Sequence, residues 1–196
     1  MFKDCTALKH IHVGGAGEDV SALLAEAARQ DVTYLLDLDK AGSIEWYKLW
    51  DAWLLRFVDS DDAEGYSGQV PCGEEDYGSS DVSAYESGRR REKASRCLLR
   101  LMNPEGLDEG MKDVCGRYIS EHTAGSKAGE EAWQLLLERY GEDEKWYTAF
   151  ADAGGLNDDN AMTIIDSIPE SMSRMKAFFI RRAGSGTGDI LSGLDL

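Results

Sequence analysis

Between residues 44 and 57 the largest apolar side chains return every three or four positions, at Trp46, Trp50, Trp53, Leu54 and Phe57. Only an α-helix gathers such positions on one face, so the spacing predicts a strongly amphipathic helix whose aromatic stripe is buried in a core. A helix carrying that much aromatic surface has to be surrounded. The 196 residues, 42% hydrophobic and 9% aromatic, supply enough apolar area for one packed domain, or one domain with a large insertion, and exclude a uniformly disordered chain.

The same period recurs downstream. Ala94, Cys97, Leu98 and Leu101 predict one helix, Met111, Val114, Cys115 and Tyr118 a second, and Ala132, Leu135, Leu136 and Tyr140 a third, so the middle of the chain reads as helical. Between the aromatic helix and these lies a stretch from Asp59 to Glu86 rich in glycine, serine and acid, which reads as a long solvated loop. Arg89-Arg90-Arg91 then reads as the solvated start of the next helix.

The two ends read differently. Residues 8–13 alternate in polarity and stop at Gly14-Gly15-Ala16-Gly17, a short strand running into a glycine turn. A helix capped by Asp19 and carrying Val20, Leu23, Leu24 and Ala27 closes at Arg29-Gln30, and the β-prone run Val32 to Leu36 follows as a buried strand. Near the other end, Trp146 to Phe150, a strand or the end of a helix, precedes Ala153-Gly154-Gly155-Leu156-Asn157. A helix with Ala161, Ile164, Ile165 and Ile168 comes next, with Pro169 ending it or opening another. Lys176 to Ile180 then reads as a buried strand entering a third glycine turn, Ala183 to Asp189. In a parallel sheet the C-terminal strand ends share one edge, so three such junctions could offer their backbone amides to one phosphate-bearing ligand.

These elements predict an α/β fold, a three-layer Rossmann-like parallel sheet with a large, mostly helical insertion. Residues 1–43 form its first β-α-β unit, 44–144 the helical insertion with an acidic loop over 59–88, and 145–196 the remaining glycine loops, helix and strand, all within one structural domain.

Charge and cysteines narrow the function classes. The 21 Lys+Arg against 37 Asp+Glu leave a net charge of −16. A surface that acidic repels nucleic-acid phosphates and anionic lipid, and suits either plain solubility or a basic protein partner. No window approaches the roughly 18 consecutive apolar residues that a membrane span needs, and Met1-Phe2-Lys3-Asp4 lacks the build of a secretory signal, so the expected location is cytoplasmic. Cys5, Cys72, Cys97 and Cys115 are scattered without a CxxC pair, which fits reduced core thiols, and with three histidines no metal site is assigned.

The glycine loops carry a resemblance. Ile11-His12-Val13-Gly14-Gly15-Ala16-Gly17, with its following helix and strand, resembles the first phosphate loop of the tubulin/FtsZ superfamily of GTPases. Phe178-Phe179-Ile180 with Ala183-Gly184-Ser185-Gly186-Thr187-Gly188 is similar to that superfamily's signature loop, and Ala153 to Asn157 to its γ-phosphate-sensing loop. The resemblance implies a GTP/GDP site in which Gly14, Gly15, Ala16 and Gly17 meet the diphosphate, Gly154, Gly155 and Asn157 the γ-phosphate, and Gly184, Ser185, Gly186, Thr187 and Gly188 cradle the phosphates. Asp37 or Asp39 would lie near the nucleotide and meet Mg2+ through water. It also implies self-association into oligomers or filaments. Hydrolysis in that superfamily depends on acids that follow the signature loop, so no catalytic residue is assigned. Ser185, Asp189 and Ile190 depart from the signature, and Glu18 and Asp19 add negative charge beside the first loop.

Other readings stand beside this one. Gly15-Ala16-Gly17 with Asp37 loosely imitates a dinucleotide-binding fingerprint, although Val20 occupies the place of its third glycine. His10-x-His12 reads as a surface pair, and Asp37-Leu38-Asp39 with Asn157-Asp158 imitates aspartate-nucleophile phosphatases but runs on into Lys40-Ala41 in place of Gly-Thr. The reading from a different class is an acidic, helical interaction or inhibitor protein that occupies a basic surface on a partner, supported by the charge and the acidic loop.

Overall fold

The computed structural model describes residues 5, 7–14, 18–66 and 79–186. The chain divides into two compact units, Met1–Cys115 and Gly116–Leu196. Among the described residues all regular structure is helical and no β-strand occurs, which overturns both the α/β parallel-sheet fold and the resemblance to tubulin/FtsZ GTPases, with its Rossmann-like, GTP-binding implication.

The first unit contains α1 (Glu18–Arg29), a 3-10 turn (Thr33–Leu35), α2 (Ile44–Asp59), α3 (Ser79–Met102) and α4 (Glu109–Glu121) as far as Cys115. The Ser43 hydroxyl caps α2 by accepting from the Trp46 amide at 3.2 Å. Most of the aromatic stripe of α2 is core: Trp46, Trp50 and Leu54 are buried with Leu23, Leu24 and Ala27 of α1 and Ala94, Cys97 and Leu98 of α3, while Trp53 and Phe57 are half-buried. Both buried indoles find acceptors, Trp46 Nε1 on the Leu35 carbonyl at 2.9 Å and Trp50 Nε1 on the Leu23 carbonyl at 3.3 Å. Helix α3 begins at Ser79, inside the 59–88 stretch, of which residues 67–78 lie outside those described.

The second unit contains α5 (Glu131–Leu135), which continues as a π-helical turn (Leu136–Tyr140), then α6 (Glu144–Asp152), α7 (Ala161–Ser167), a 3-10 turn (Glu170–Met172) and α8 (Ser173–Gly186). Its core is aromatic. Trp133 lies 5.6 Å from Phe150 and 5.6 Å from Phe179, Phe150 and Phe179 are 6.2 Å apart, and Met175 and Ile164 are fully buried.

Each run expected to be a strand has found another use for its backbone. Residues 8–13 lie along α1, where the Ile11 amide donates to the Ser21 carbonyl at 3.0 Å, the Ser21 hydroxyl donates to the Ile11 carbonyl and Arg29 donates to the Leu8 carbonyl. Val32 to Leu36 follows a helix stop. Asp31 is left-handed (φ 56°), its amide donates to the Ala28 carbonyl and the Val32 amide to the Ala27 carbonyl, the paired bonds of a Schellman motif. The chain turns there into the 3-10 turn, burying Val32 and Leu35 without pairing to a strand. Trp146 to Phe150, read as a strand or the end of a helix, lies in the last turns of α6, and Lys176 to Ile180 lies inside α8, where Met175 and Phe179 face the core one helical turn apart. A run of five apolar residues reads alike as a buried strand or a helix segment, and the flanking residues decide.

Candidate functional site

The glycines singled out in the sequence serve local backbone needs where the structure describes them. Gly14 is an exposed turn residue, while Gly15, Ala16 and Gly17 lie outside the described residues. Asp39 sits on an exposed turn beside Asp37, whose carboxyl is held below the ordinary carboxylate range by a 2.7 Å hydrogen bond from Lys40. Gly154 (φ +83°) and Gly155 form a second Schellman stop, at the end of α6: the Gly154 amide donates to the Ala151 carbonyl and the Gly155 amide to the Phe150 carbonyl. A Cβ on Gly155 would come within 2.5 Å of the Phe150 ring. The Asn157 side chain accepts from the amides of Asp159 and Asn160, and Asn160 Nδ2 returns to the Gly155 carbonyl at 2.8 Å, where the Thr123 hydroxyl also donates. Gly184, Ser185 and Gly186 are the last residues of α8 rather than a loop after a strand, and Thr187 and Gly188 lie outside the described residues. No described strand supplies the common edge on which these loops were expected to meet.

A different constellation dominates the first unit. Helix α3 carries Arg89, Lys93, Arg96 and Arg100 at spacings of 4, 3 and 4, the register in which α2 carries Trp46, Trp50, Trp53 and Phe57. The two helices run in opposite directions, so the C-terminal end of α2 meets the middle of α3. Arg89 and Arg96 place their guanidinium carbons 4.4 and 4.5 Å from the Phe57 ring centre, and Arg100 lies 5.2 Å from that of Tyr47.

Lys93, Arg96 and Arg100 also meet acids from other elements, while Arg89 pairs with Glu92 of its own helix. Arg96 Nε donates to Glu26 of α1 at 2.8 Å, with both side chains almost wholly buried. Arg100, fully buried, donates to both Asp51 oxygens, from Nε at 2.6 Å and Nη2 at 3.2 Å, while Nη2 also reaches the Glu105 carbonyl and Nη1 the Asn103 carbonyl. Lys93 reaches Asp62 at 2.7 Å and the Ser60 carbonyl, and Arg90 reaches the other Asp62 oxygen at 3.3 Å. Pairing and hydrogen bonding are what make such burial tolerable. Arg89-Arg90-Arg91 is therefore not a solvated helix start, since Arg89 and Arg90 are drawn into this seam. The missed signal was the matching 4-3-4 spacing of four cations on α3 and four aromatic residues on α2.

Residues 1–115 hold 13 Lys+Arg and 23 Asp+Glu, and the seam buries Lys93, Arg96 and Arg100 together with Glu26 and Asp51, which leaves that acid excess almost unchanged. Asp31, Asp39, Glu45, Asp59, Asp61 and Glu64 remain exposed.

Two smaller groupings are structural. Cys97 and Cys115 are buried free thiols, and the hydrogen bond between them, together with burial, pushes the Cys97 thiol well above its usual range, which leaves it un-ionised and unreactive. His10 and His12 stack at 6.0 Å, with His12 Nδ1 beside the Ser21 hydroxyl at 3.3 Å. Among the described residues no three His, Cys, Asp or Glu gather to hold a metal ion, and no helix is long and apolar enough to cross a membrane. Compared with known proteins, the chain matches no family model, no curated protein and no solved structure.

Proposed function

We propose that this protein is an acidic helical interaction module that docks on a basic surface of a protein partner, as an inhibitor or adaptor does. The observation that carries this reading is the net charge of −16 together with the outward placement of Asp31, Asp39, Glu45, Asp59, Asp61 and Glu64 on the first unit, whose cations Lys93, Arg96 and Arg100 are taken up in internal ion pairs. An acidic surface of this kind speeds the approach of a basic partner and excludes polyanions, and its effect weakens as salt screens it.

The test is fluorescence anisotropy of a labelled lysine homopolymer and a glutamate homopolymer of equal length, titrated with the full chain. Saturable binding of the lysine polymer, weakening at least about tenfold between about 50 and 200 mM salt, with none to the glutamate polymer, is the expected result. Absence of lysine-polymer binding at low salt would overturn the reading.

A further inference from the structure

Among the described residues seven large apolar side chains stand exposed: Tyr34, Leu38, Ile44, Leu49, Leu55, Met162 and Ile180. Five of the seven fall within residues 34–55, on the 3-10 turn, the connection to α2 and the outward side of α2 itself. At about 100° per residue, the exposed α2 positions run Ile44, Leu55, Lys48, Asp59, Ala52, Glu45, Arg56 and Leu49 around the side opposite the buried Trp46, Trp50 and Leu54, so aliphatic and charged side chains share one face. Ile44 is the most open of the five, at 65% exposure. Apolar surface grouped in this way marks an interaction site more often than scattered exposure does.

The charge around this surface indicates its occupant. Asp31, Asp39, Glu45, Asp59, Asp61 and Glu64 are exposed along residues 31–64, and Asp37 is held by Lys40. Against these six acids residues 31–64 set only Lys48 and Arg56, since Lys40 is spent on Asp37 and Asp51 and Asp62 are matched by cations of α3.

We infer that the outward face of α2 with the preceding turn is the docking surface for a basic amphipathic helix of a partner protein, its aliphatic side chains on Ile44, Leu49 and Leu55 and its lysines or arginines over the acidic rim. This rests on the interaction-module reading and goes beyond it by placing the contact on one face and requiring an apolar as well as a cationic component.

The experiment uses a labelled synthetic helix built of leucine and lysine, with the lysine homopolymer as comparison, titrated with the full chain. The expected result is that the amphipathic helix binds at least about tenfold more tightly than the homopolymer. The triple variant Ile44→Ser/Leu49→Ser/Leu55→Ser, its helix content checked by circular dichroism, should lose that advantage. Met162→Ser/Ile180→Ser should keep it, and Asp39→Asn/Glu45→Gln should weaken binding and flatten its salt dependence. Unchanged binding of the amphipathic helix by the triple variant would overturn the inference while leaving the general reading standing, whereas no binding of either cationic probe would overturn both. A wild-type dimer in sedimentation that the triple variant disperses, with probe binding unaffected, would overturn it in favour of a second copy of the chain on this face.

Discussion

In residues 1–115 the apolar core of three helices is tied together by buried charges, Glu26 of α1 and Asp51 of α2 both reaching the cationic stripe of α3. In residues 116–196 the equivalent place is taken by rings, Trp133 against Phe150 and Phe179. Ring contacts are short-ranged and tolerate small shifts of one helix along another. A forked guanidinium on a carboxylate is satisfied only when donor and acceptor are in step, so the first unit sets the register of its helices by chemistry and the second by shape.

The largest effects should come from breaking each centre. Arg100→Met leaves the Asp51 carboxylate buried without its partner and should cost about 3–5 kcal/mol in urea denaturation followed by tryptophan fluorescence. Adding Asp51→Leu should recover most of that loss, because two apolar side chains can replace a buried pair. Phe150→Ala should also cost about 3–5 kcal/mol, by leaving a cavity beside Trp133 and Phe179. A double variant as unstable as Arg100→Met would show that the pair contributes more than compensation for its own burial.

Gly155→Ala should act next, at about 1–3 kcal/mol, since its methyl meets the Phe150 ring and the aromatic centre must shift to admit it. Amide hydrogen exchange would report whether the loss is confined to residues 116–196.

The two Schellman stops offer a finer comparison, because one uses aspartate and the other glycine at the left-handed position. Gly154→Ala should lower stability by about 1 kcal/mol, while Asp31→Gly should raise it by less than about 1 kcal/mol by relieving the same strain. Thermal melts of the two variants should therefore move in opposite directions.

The smallest effect is electrostatic. Asp37 and Glu170 are both held below the ordinary carboxylate range, by hydrogen bonds from Lys40 and Lys176. A carboxyl lowered on folding contributes stability above its unfolded value, and that contribution is lost as pH falls through the folded one. Carboxyl NMR titration should show both groups ionising at lower pH than free side chains. Lys40→Ala and Lys176→Ala should each raise only its own partner.

Much of the helical content was legible because it depends on local repetition. The stripes of α1, α2, α4 and α7 each extend over about two turns or more, long enough for the 3.6-residue period to stand out. The cationic seam was written in the same spacing, but charged residues on a helix are ordinarily read as its solvent face, and nothing near Arg96 or Arg100 in sequence announces that Glu26 and Asp51 will come to meet them. The glycine loops misled for a related reason. A glycine after an apolar run serves a helix stop as well as a phosphate loop, and at Gly154 the deciding facts are the bonds back to Phe150 and Ala151.

By itself, then, the sequence determined the long amphipathic helices, the burial of the aromatic stripe on α2 and the acid excess, since each is a property of one segment or of composition. Whether Val32 to Leu36 and Lys176 to Ile180 became strands was decided only in the tertiary structure. A strand's backbone must be satisfied by another strand, whereas a helix or a turn satisfies its own, and no described segment came forward to pair. The same holds for the cations of α3, whose inward or outward placement rests on acids 31 to 70 residues away.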